Sequence, residues 1–240
     1  MSRNIALVFG GSRGIGAAIV AALARDGYDV AFTYVSGKPD PLPAVAGARI
    51  EAYRVDICAP AEVTGVFEAV GRDFGGAPHC VVANAGINVP PGPMGQFDPD
   101  NFRRLVEVNI VGAFNILQEA ARQVADGGNI IATTSSMVRL AVPGGGPYTA
   151  SKAAVESLIR SMAKELTPRR VRVNAVAPGP VETDLFRAGK NEEALKRSAA
   201  LSPFNRVGQP HEVAEVVAFL ASERASWIQG QVVQPNGGMV

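Results

Sequence analysis

Two side chains four residues apart, Tyr148 and Lys152 in the segment Tyr-Thr-Ala-Ser-Lys, have the types and the spacing for proton transfer. At the start of a predicted helix, this spacing places both on one face, where they reach each other or a common ligand. A free tyrosine has a pKa of about 10, too high for an efficient base at neutral pH, but an adjacent ammonium favours the phenolate and lowers that pKa. The pair can therefore replace a histidine. The alternative is that the two residues have no chemical role, as an amphipathic tyrosine at a helix start and a solvent-facing lysine. Without other motifs, the pair favours this alternative.

The scarcity of histidine narrows the chemistry further. The chain has only two histidines, His79 and His211. A Cys-His zinc module is excluded, and a zinc hydrolase site would depend on carboxylates, which zinc seldom accepts as its main ligands. His79 opens a predicted buried strand and His211 follows Pro210 at a predicted helix start, so we expect structural residues rather than members of a Ser-His-Asp triad. No metal site is predicted.

Charge and cysteine content exclude further classes. Lys+Arg 23 against Asp+Glu 22 leaves a net charge of +1, which gives no general electrostatic reason to bind nucleic acid or an anionic membrane. No run approaches the ~20 apolar residues that span a bilayer, and we expect no targeting segment. Cys58 and Cys80 lack C-x-x-C spacing and suit a reducing compartment, so we expect a cytoplasmic protein.

A glycine-rich loop indicates a phosphate site. It reads Gly10-Gly11-Ser12-Arg13-Gly14-Ile15-Gly16 and stands between a predicted strand and a predicted helix. Glycines permit a tight turn and a close approach of the backbone, and a helix N-terminus directs free N–H groups and a partial positive charge at a phosphate. The alternative is a merely tight strand-to-helix turn, but the strand-loop-helix context favours a pyrophosphate.

The end of the second predicted strand indicates which nucleotide binds. NAD-binding chains usually carry an acidic residue there for the ribose hydroxyl, whereas this chain has Tyr34. No carboxylate would repel a 2′-phosphate, and Ser12, Arg13, Ser36 and Lys38 can donate hydrogen bonds to one. We therefore predict NADP(H), with Arg13 as the favoured phosphate ligand, because Lys38 fits a solvated loop charge better.

The elements that must position these residues alternate between short β-branched apolar runs and longer helix-period stretches. This pattern is typical of an α/β fold, a parallel sheet with helices on both faces, and we expect one domain over 1–240. Prolines at 39, 41 and 43 forbid regular helix, so the crossover between strands two and three should be shortened. Strands are predicted at 5–9, 29–34, 50–55, 80–83, 129–134, 171–177 and 231–234, and helices at 14–26, 60–74, 98–125, 148–167, 191–200 and 210–222.

Five motifs are spread over the whole chain. They are the glycines Gly10, Gly14 and Gly16, the pair Asp56-Ile57, the segment Asn84-Ala85-Gly86, the signature Tyr148-x-x-x-Lys152, and the turn Pro178-Gly179 with Val181 and Thr183. In this combination the chain resembles the short-chain dehydrogenase/reductase family, in its compact 3-oxoacyl reductase-like form.

The resemblance implies a Rossmann-type doubly wound domain with a seven-stranded parallel sheet of order 3-2-1-4-5-6-7. It also implies that Asp56-Ile57 contacts adenine, that the segment 84–86 supports the cofactor, and that the turn at 178–183 holds the nicotinamide end.

The same resemblance implies catalytic roles. Tyr148 is the general acid for carbonyl reduction, and Lys152 lowers its pKa and hydrogen-bonds the nicotinamide ribose. A serine orients the substrate oxygen. Ser135, thirteen residues before Tyr148, has a spacing common in the family and is predicted for this role. Ser136 remains a competitor, because the family's usual Ser-Ser pair places the catalytic hydroxyl second.

Asn109 is the fourth predicted member of the site. Phe102, Leu105, Val106 and Ala113 form an apolar face at helical spacing, which points Asn109 toward the interior, where its amide needs partners. The resemblance implies that it supports a water that relays protons to the lysine. An amide satisfied within a helix bend is compatible with that role.

Two further segments depart from or extend the family pattern. Phe9 stands where the family usually has a threonine that braces the glycine loop, so we expect altered bracing without lost binding. The charged amphipathic segment 184–205 follows the nicotinamide turn and is predicted to be a substrate lid. Its residues Leu185, Phe186 and Leu201 fit substrate contacts or, equally, simple docking of a helix.

The resulting hypothesis is an NADPH-dependent reductase that transfers a hydride between nicotinamide and a ketone or secondary alcohol, with 3-oxoacyl thioesters among the candidate substrates. One alternative is an NAD(P)-dependent sugar, steroid or alcohol dehydrogenase. An alternative of another class is a catalytically silent nucleotide-sensing regulatory protein. The resemblance also implies a homotetramer, because relatives pair the long helices that hold Asn109 and Tyr148.

Overall fold

The computed structural model describes residues 3–36 and 45–240. Its core is a seven-stranded parallel sheet of order β3-β2-β1-β4-β5-β6-β7, which confirms the predicted order and fold class. The strands are β1 (Asn4–Phe9), β2 (Tyr28–Tyr34), β3 (Ile50–Arg54), β4 (Cys80–Ala83), β5 (Asn129–Thr133), β6 (Arg172–Val176) and β7 (Val232–Val233).

Helices cover both faces of this sheet. Within the described ranges they are α1 (Gly14–Arg25), α2 (Pro60–Phe74), α3 (Pro99–Leu105), α4 (Ala113–Gln123), α5 (Met137–Leu140), α6 (Gly146–Glu165), α7 (Asp184–Arg187), α8 (Glu192–Ala199) and α9 (Pro210–Ala221). A π-helical segment, Val106–Gly112, joins α3 to α4 without a break.

The alternation of side chains along each strand creates two apolar cores. In β1, Leu7 and Phe9 point to the face covered by α2, α4 and α6, whereas Ala6 and Val8 point to the face covered by α1 and α9. All four are fully buried. Burial on both faces explains why the strands read as continuous apolar runs.

Parallel strands bring their carboxyl ends to one edge of the sheet. β1 pairs with both β2 and β4, so the strand order reverses there, and α1, after β1, packs on one face of the sheet while α4, after β4, packs on the other. In open α/β sheets, ligands bind in the crevice at such a point. The loops after β5 and β6 end at the same edge.

The predicted helix at 98–125 is wrong in one respect, because the π-helical segment interrupts it. A π turn closes i to i+5 hydrogen bonds and changes the rotation of the helix. Leu105, Asn109 and Ala113 are buried as predicted, but Phe102, near the start of α3, is 45% exposed and lies outside the apolar face assigned to it.

The crossover between β2 and β3 occupies 35–49. Its described residues, 35–36 and 45–49, contain no helix. The three prolines at 39, 41 and 43, together with Lys38, lie outside the described residues.

Candidate active site

The glycine loop leads from β1 into an open helix N-terminus. Arg13 is the N-cap of α1, no side chain in the described ranges caps this helix, and its first turn carries no acidic residue. A Cβ on Gly16 would overlap the carbonyl oxygen of Gly10, so the loop folds back tightly on the helix. The backbone N–H groups of the first turn are thus placed to bind an anion.

Two neighbouring strands hold the glycine loop in place. The Gly10 N–H donates to Thr33 Oγ1 at 3.1 Å and the Gly11 N–H to the Thr33 carbonyl at 3.0 Å. From the other side, Asn84 Nδ2 donates to the Gly10 carbonyl at 3.0 Å. Phe9 itself is fully buried and packs on Phe67. A hydroxyl from β2 therefore braces the loop, which sequence reasoning missed because it considered only the residue before the loop.

The polar residues predicted for the 2′-phosphate lie around the ends of β1 and β2. Tyr34 ends β2, Ser36 and Arg13 are exposed, and Ser12 is half-buried. Within the described part of the chain, the Arg13 guanidinium makes no hydrogen bond or ion pair. Ile15 follows in the first turn of α1 and is half-buried.

The pair Asp56-Ile57 follows β3, beside the ends of β2 and β1. The Asp56 carboxylate accepts a hydrogen bond from the Cys58 N–H at 2.9 Å, which forms a local turn. Ile57 is buried and packs against Gly112 of the π-helical segment. Its carbonyl accepts from Asn115 Nδ2 at 2.9 Å. The pair is held firmly at the edge of the crevice, although the Ile57 side chain belongs to the apolar core.

Tyr148 lies in the first turn of α6 and faces Ser135, which follows β5. Burial raises the pKa of the Tyr148 phenol, and the neighbouring Ser135 hydroxyl opposes that rise by a smaller amount. The structure does not give the predicted lowering of the Tyr148 pKa by Lys152, because desolvation of the phenolate dominates.

The ammonium of Lys152 turns toward β5. Its Nζ donates to the Thr133 carbonyl at 3.1 Å, and the side chain is 6% exposed. Burial lowers the Lys152 pKa to about 8, because the charged form loses its hydration. At neutral pH the group still carries its proton, since that pKa lies above 7.

The two candidate serines have different surroundings. Ser136 is fully buried, donates to the Ala177 carbonyl at 2.6 Å and accepts from Asn236 Nδ2 at 3.0 Å. Ser135 instead faces Tyr148, and within the described ranges its Oγ accepts a single long bond of 3.3 Å, from the Met137 N–H. The geometry therefore favours Ser135 as the serine that faces a substrate, and it gives Ser136 a structural task.

Asn109 is buried within the π-helical segment and its amide is fully engaged. Its Oδ1 accepts from the Ile87 N–H at 2.8 Å, and its Nδ2 donates to the Ile87 carbonyl at 2.9 Å and to Ser151 Oγ at 3.1 Å. Gly86 lies between this amide and Lys152, because a Cβ there would stand 3.1 Å from Asn109 Oδ1 and 3.2 Å from Lys152 Nζ. The loop 84–86 thus connects the glycine loop to the lysine.

The turn at 178–183 closes the other side of the crevice. Ser136 donates its N–H to the Pro178 carbonyl at 3.0 Å, and Gly179 donates to the Pro235 carbonyl at 3.2 Å. Val181 is buried, and Thr183 caps α7 by accepting from the Phe186 N–H at 3.1 Å. A Cβ on Gly14 would lie 3.2 Å from Thr183 Cγ2, so this turn meets the glycine loop.

The segment 184–205 forms two short helices, α7 and α8, beyond this turn. Leu185 and Leu201 are exposed and Phe186 is half-buried. The role of the segment 184–205 as a substrate lid stays a prediction.

Residues 3–36 and 45–240 contain no group of three or more His, Cys, Asp or Glu placed to hold a metal ion. No helix in that part of the chain has the length and apolarity to cross a membrane. His79 accepts a long hydrogen bond from the Ile5 N–H at 3.4 Å, and His211 is exposed in the first turn of α9.

The arrangement can bind an anion at α1, present a proton donor at Tyr148 and hold a cation at Lys152 along one crevice. This suits proton transfer to a substrate oxygen beside a bound nucleotide. Neither histidine belongs to the arrangement.

Comparison with known proteins identifies relatives that cover almost the whole chain. The family model described as "Enoyl-(Acyl carrier protein) reductase" matches residues 10–240. The "Short-chain type dehydrogenase/reductase" of Picea abies is 39% identical over 99% of this chain and 92% of its own length. The "NADPH-dependent aldehyde reductase-like protein, chloroplastic" of Arabidopsis thaliana is 36% identical over 100% of this chain and 95% of its own.

A solved structure shows the same fold. The short-chain dehydrogenase from Burkholderia cenocepacia J2315, in complex with NADP, superposes with a TM-score of 0.88 at 32% identity, covering 98% of this chain and 97% of that one. With the strand order, the crevice and the Tyr148-Lys152 pair in place, these likenesses show that the chain belongs to the short-chain dehydrogenase/reductase family.

Proposed function

We propose that the protein is an NADPH-dependent reductase that transfers a hydride between the nicotinamide and a ketone or secondary alcohol. The observation that carries the proposal is the position of Tyr148, beside Ser135 and four residues before the buried Lys152, at the same edge of the sheet as the N-terminus of α1. The Arabidopsis relative is named as NADPH-dependent, and the Burkholderia structure holds NADP, which supports the choice of cofactor.

The residues present fit a dinucleotide. The uncapped N-terminus of α1 suits the pyrophosphate, and the exposed Arg13 and Ser36, with Ser12, suit a 2′-phosphate beside Tyr34. Farther along the crevice, Lys152 would bind the nicotinamide ribose, with the segment 84–86 and the turn at 178–183 on either side. When bound, NADPH supplies the hydride for the carbonyl carbon.

The proton chemistry belongs to the protein. Ser135 donates a hydrogen bond to the carbonyl oxygen, and Tyr148 transfers its proton to that oxygen as the carbon is reduced. The raised pKa of Tyr148 keeps the phenol protonated at neutral pH, which suits a general acid in the reductive direction. The Lys152 ammonium faces the Thr133 carbonyl, and its proposed task is to bind the nicotinamide ribose.

A kinetic test separates an enzyme from a nucleotide sensor. NADPH consumption is followed on a panel of ketones, aldehydes, sugars, steroids and acyl thioesters, with wild type and Tyr148→Phe in parallel, and NADPH binding is measured by fluorescence. We expect wild type to consume NADPH with at least one carbonyl and Tyr148→Phe to bind NADPH without turnover. A wild type that binds NADPH and reduces nothing would favour the sensor.

Cofactor choice has its own test in Arg13→Ala. Loss of the guanidinium should weaken binding of NADPH and leave that of NADH unchanged, because only NADPH carries the 2′-phosphate. Arg103→Ala, an exposed arginine on α3, serves as the matched control. Tighter binding of NADH than of NADPH by wild type would refute the assignment.

We also propose self-association as a homotetramer, by resemblance to the family. In support, the helical stretch 99–123 exposes three large apolar side chains, Phe102, Val111 and Phe114. Sedimentation of wild type and Phe114→Glu tests this, and a monomeric wild type would refute it. The cytoplasmic location, which rests on the free thiols of Cys58 and Cys80, stays a prediction.

A further inference from the structure

A chain of buried hydrogen bonds joins the loop after β4, the π-helical segment and α6. Besides its two bonds to the Ile87 backbone, the Asn109 amide donates to Ser151 Oγ at 3.1 Å, and the Ser151 hydroxyl donates to the Tyr148 carbonyl at 2.7 Å. Asn109 and Ser151 are each 1% exposed. Because both side chains are buried, water does not replace a hydrogen-bond partner that a substitution removes.

The direction of these bonds follows from counting protons. A serine hydroxyl has one proton, and Ser151 uses it on the Tyr148 carbonyl. Toward Asn109 it is an acceptor, so the NH2 end of the amide must face Ser151 and the oxygen must face the Ile87 N–H. Without the hydroxyl, one amide N–H is left unpaired in a buried position, and the preference for this orientation weakens.

The orientation of the amide affects the backbone beside Lys152. The amide clamps Ile87, and the preceding Gly86 lies against both Asn109 Oδ1 and Lys152 Nζ. Ser151 is also adjacent to Lys152 in the chain. A change at Ser151 therefore reaches the lysine through the Asn109 amide and the loop at 86–87.

We propose that Ser151 is a positioning residue, whose hydroxyl orients the Asn109 amide and through it holds Gly86 and Ile87 against Lys152. The inference rests on the proposed function. It adds a residue that acts through Asn109 and touches no substrate atom.

The kinetic test compares Ser151→Ala with Thr149→Ala. Thr149 lies in the same helical turn and makes the same type of bond, from its Oγ1 to the Gly146 carbonyl at 3.0 Å, but it has no bond to another element within the described ranges. We expect kcat of Ser151→Ala to fall between about two- and tenfold, the range of one net hydrogen bond, and that of Thr149→Ala to stay near wild type.

A double-mutant cycle tests whether Ser151 acts through Asn109. In an Asn109→Ala background, Ser151→Ala should cost little further activity, because the two residues form one linked unit. An equal loss in both backgrounds would overturn the inference.

A second readout needs no substrate. Amide hydrogen exchange at Ile87, whose N–H is held by Asn109, should accelerate in Ser151→Ala between about two- and tenfold, with no change at Ile130 in β5. If Ser151→Ala does not fold, Ser151→Cys, with its weaker acceptor, should show a smaller acceleration at Ile87.

The two readouts separate the two proposals. Unchanged kcat together with unchanged Ile87 exchange in an active enzyme would overturn the role of Ser151. A wild type that reduces no carbonyl, while Ile87 exchange responds to Ser151→Ala, would refute the proposed function and leave the hydrogen-bond link supported.

Discussion

Replacing Lys152 by methionine should make the protein without cofactor more stable at neutral pH. Burial lowers the Lys152 pKa from 10.5 to about 8, so the folded state bears a cost for holding this charge. At 1.36 kcal/mol per pKa unit, the shift corresponds to a cost of about 3 kcal/mol. Methionine keeps the length and most of the volume of the side chain, removes the charge and should abolish turnover.

The pH dependence gives this prediction a sign. Below about pH 8, Lys152 is charged in both the folded and the unfolded state, and the full cost is present. Between about 8 and 10.5 the folded protein has released the proton while the unfolded chain retains it. The unfolded state then binds more protons, so the free energy of unfolding of wild type rises with pH relative to that of Lys152→Met.

The assay is urea unfolding of both proteins, without cofactor, at several values from about pH 7 to about pH 10. The advantage of Lys152→Met should be largest at neutral pH and should shrink as the pH rises. Lys164→Met, an exposed lysine on the same helix, is the control and should show no such trend. A difference between wild type and Lys152→Met that does not vary with pH would refute the reasoning.

Two further pairs of substitutions test other parts of the site. Thr33→Val should leave the Gly10 N–H without its partner, at a cost in stability of about 1–3 kcal/mol, so it should lower Tm and raise KM for NADPH. The control is Thr167→Val, which loses only a helix-end bond to the Ala163 carbonyl and should lower Tm alone. Ser135→Ala should reduce kcat with little change in Tm, and Ser136→Ala should reduce Tm because Asn236 loses its acceptor. The reverse outcome in steady-state kinetics and thermal melting would exchange the roles of the two serines.

The sheet was predictable because its signals are local. Each strand is a short apolar run, and the predicted ends of β1 to β6 lie within about one residue of the observed ones. The helix at 98–125 was harder to predict. A π turn leaves the apolar pattern of the sequence almost unchanged, but it alters the rotation that decides whether Phe102 faces the core.

Contacts between distant segments were beyond sequence reasoning. That Thr33 braces Gly10 depends on the register between neighbouring strands, and no spacing within one segment reveals it. The choice between Ser135 and Ser136 likewise depends on Asn236, one hundred residues away, which occupies Ser136. The position of Asn109 was predictable from helical spacing, but its bond to Ser151 was not.

The π-helical segment also limits how the chain can change in length. A π turn holds one residue more than the α turn it replaces, so deleting a single residue within Val106–Gly112 would restore a continuous α-helix. Because the π turn and the α turn that replaces it each complete one rotation, α3 and α4 would keep their faces, and only the residues inside the segment would change direction. The Asn109 amide would then leave the Ile87 backbone. Selection should therefore remove single-residue deletions from this segment, whereas many substitutions at the exposed positions of the same helix should be tolerated.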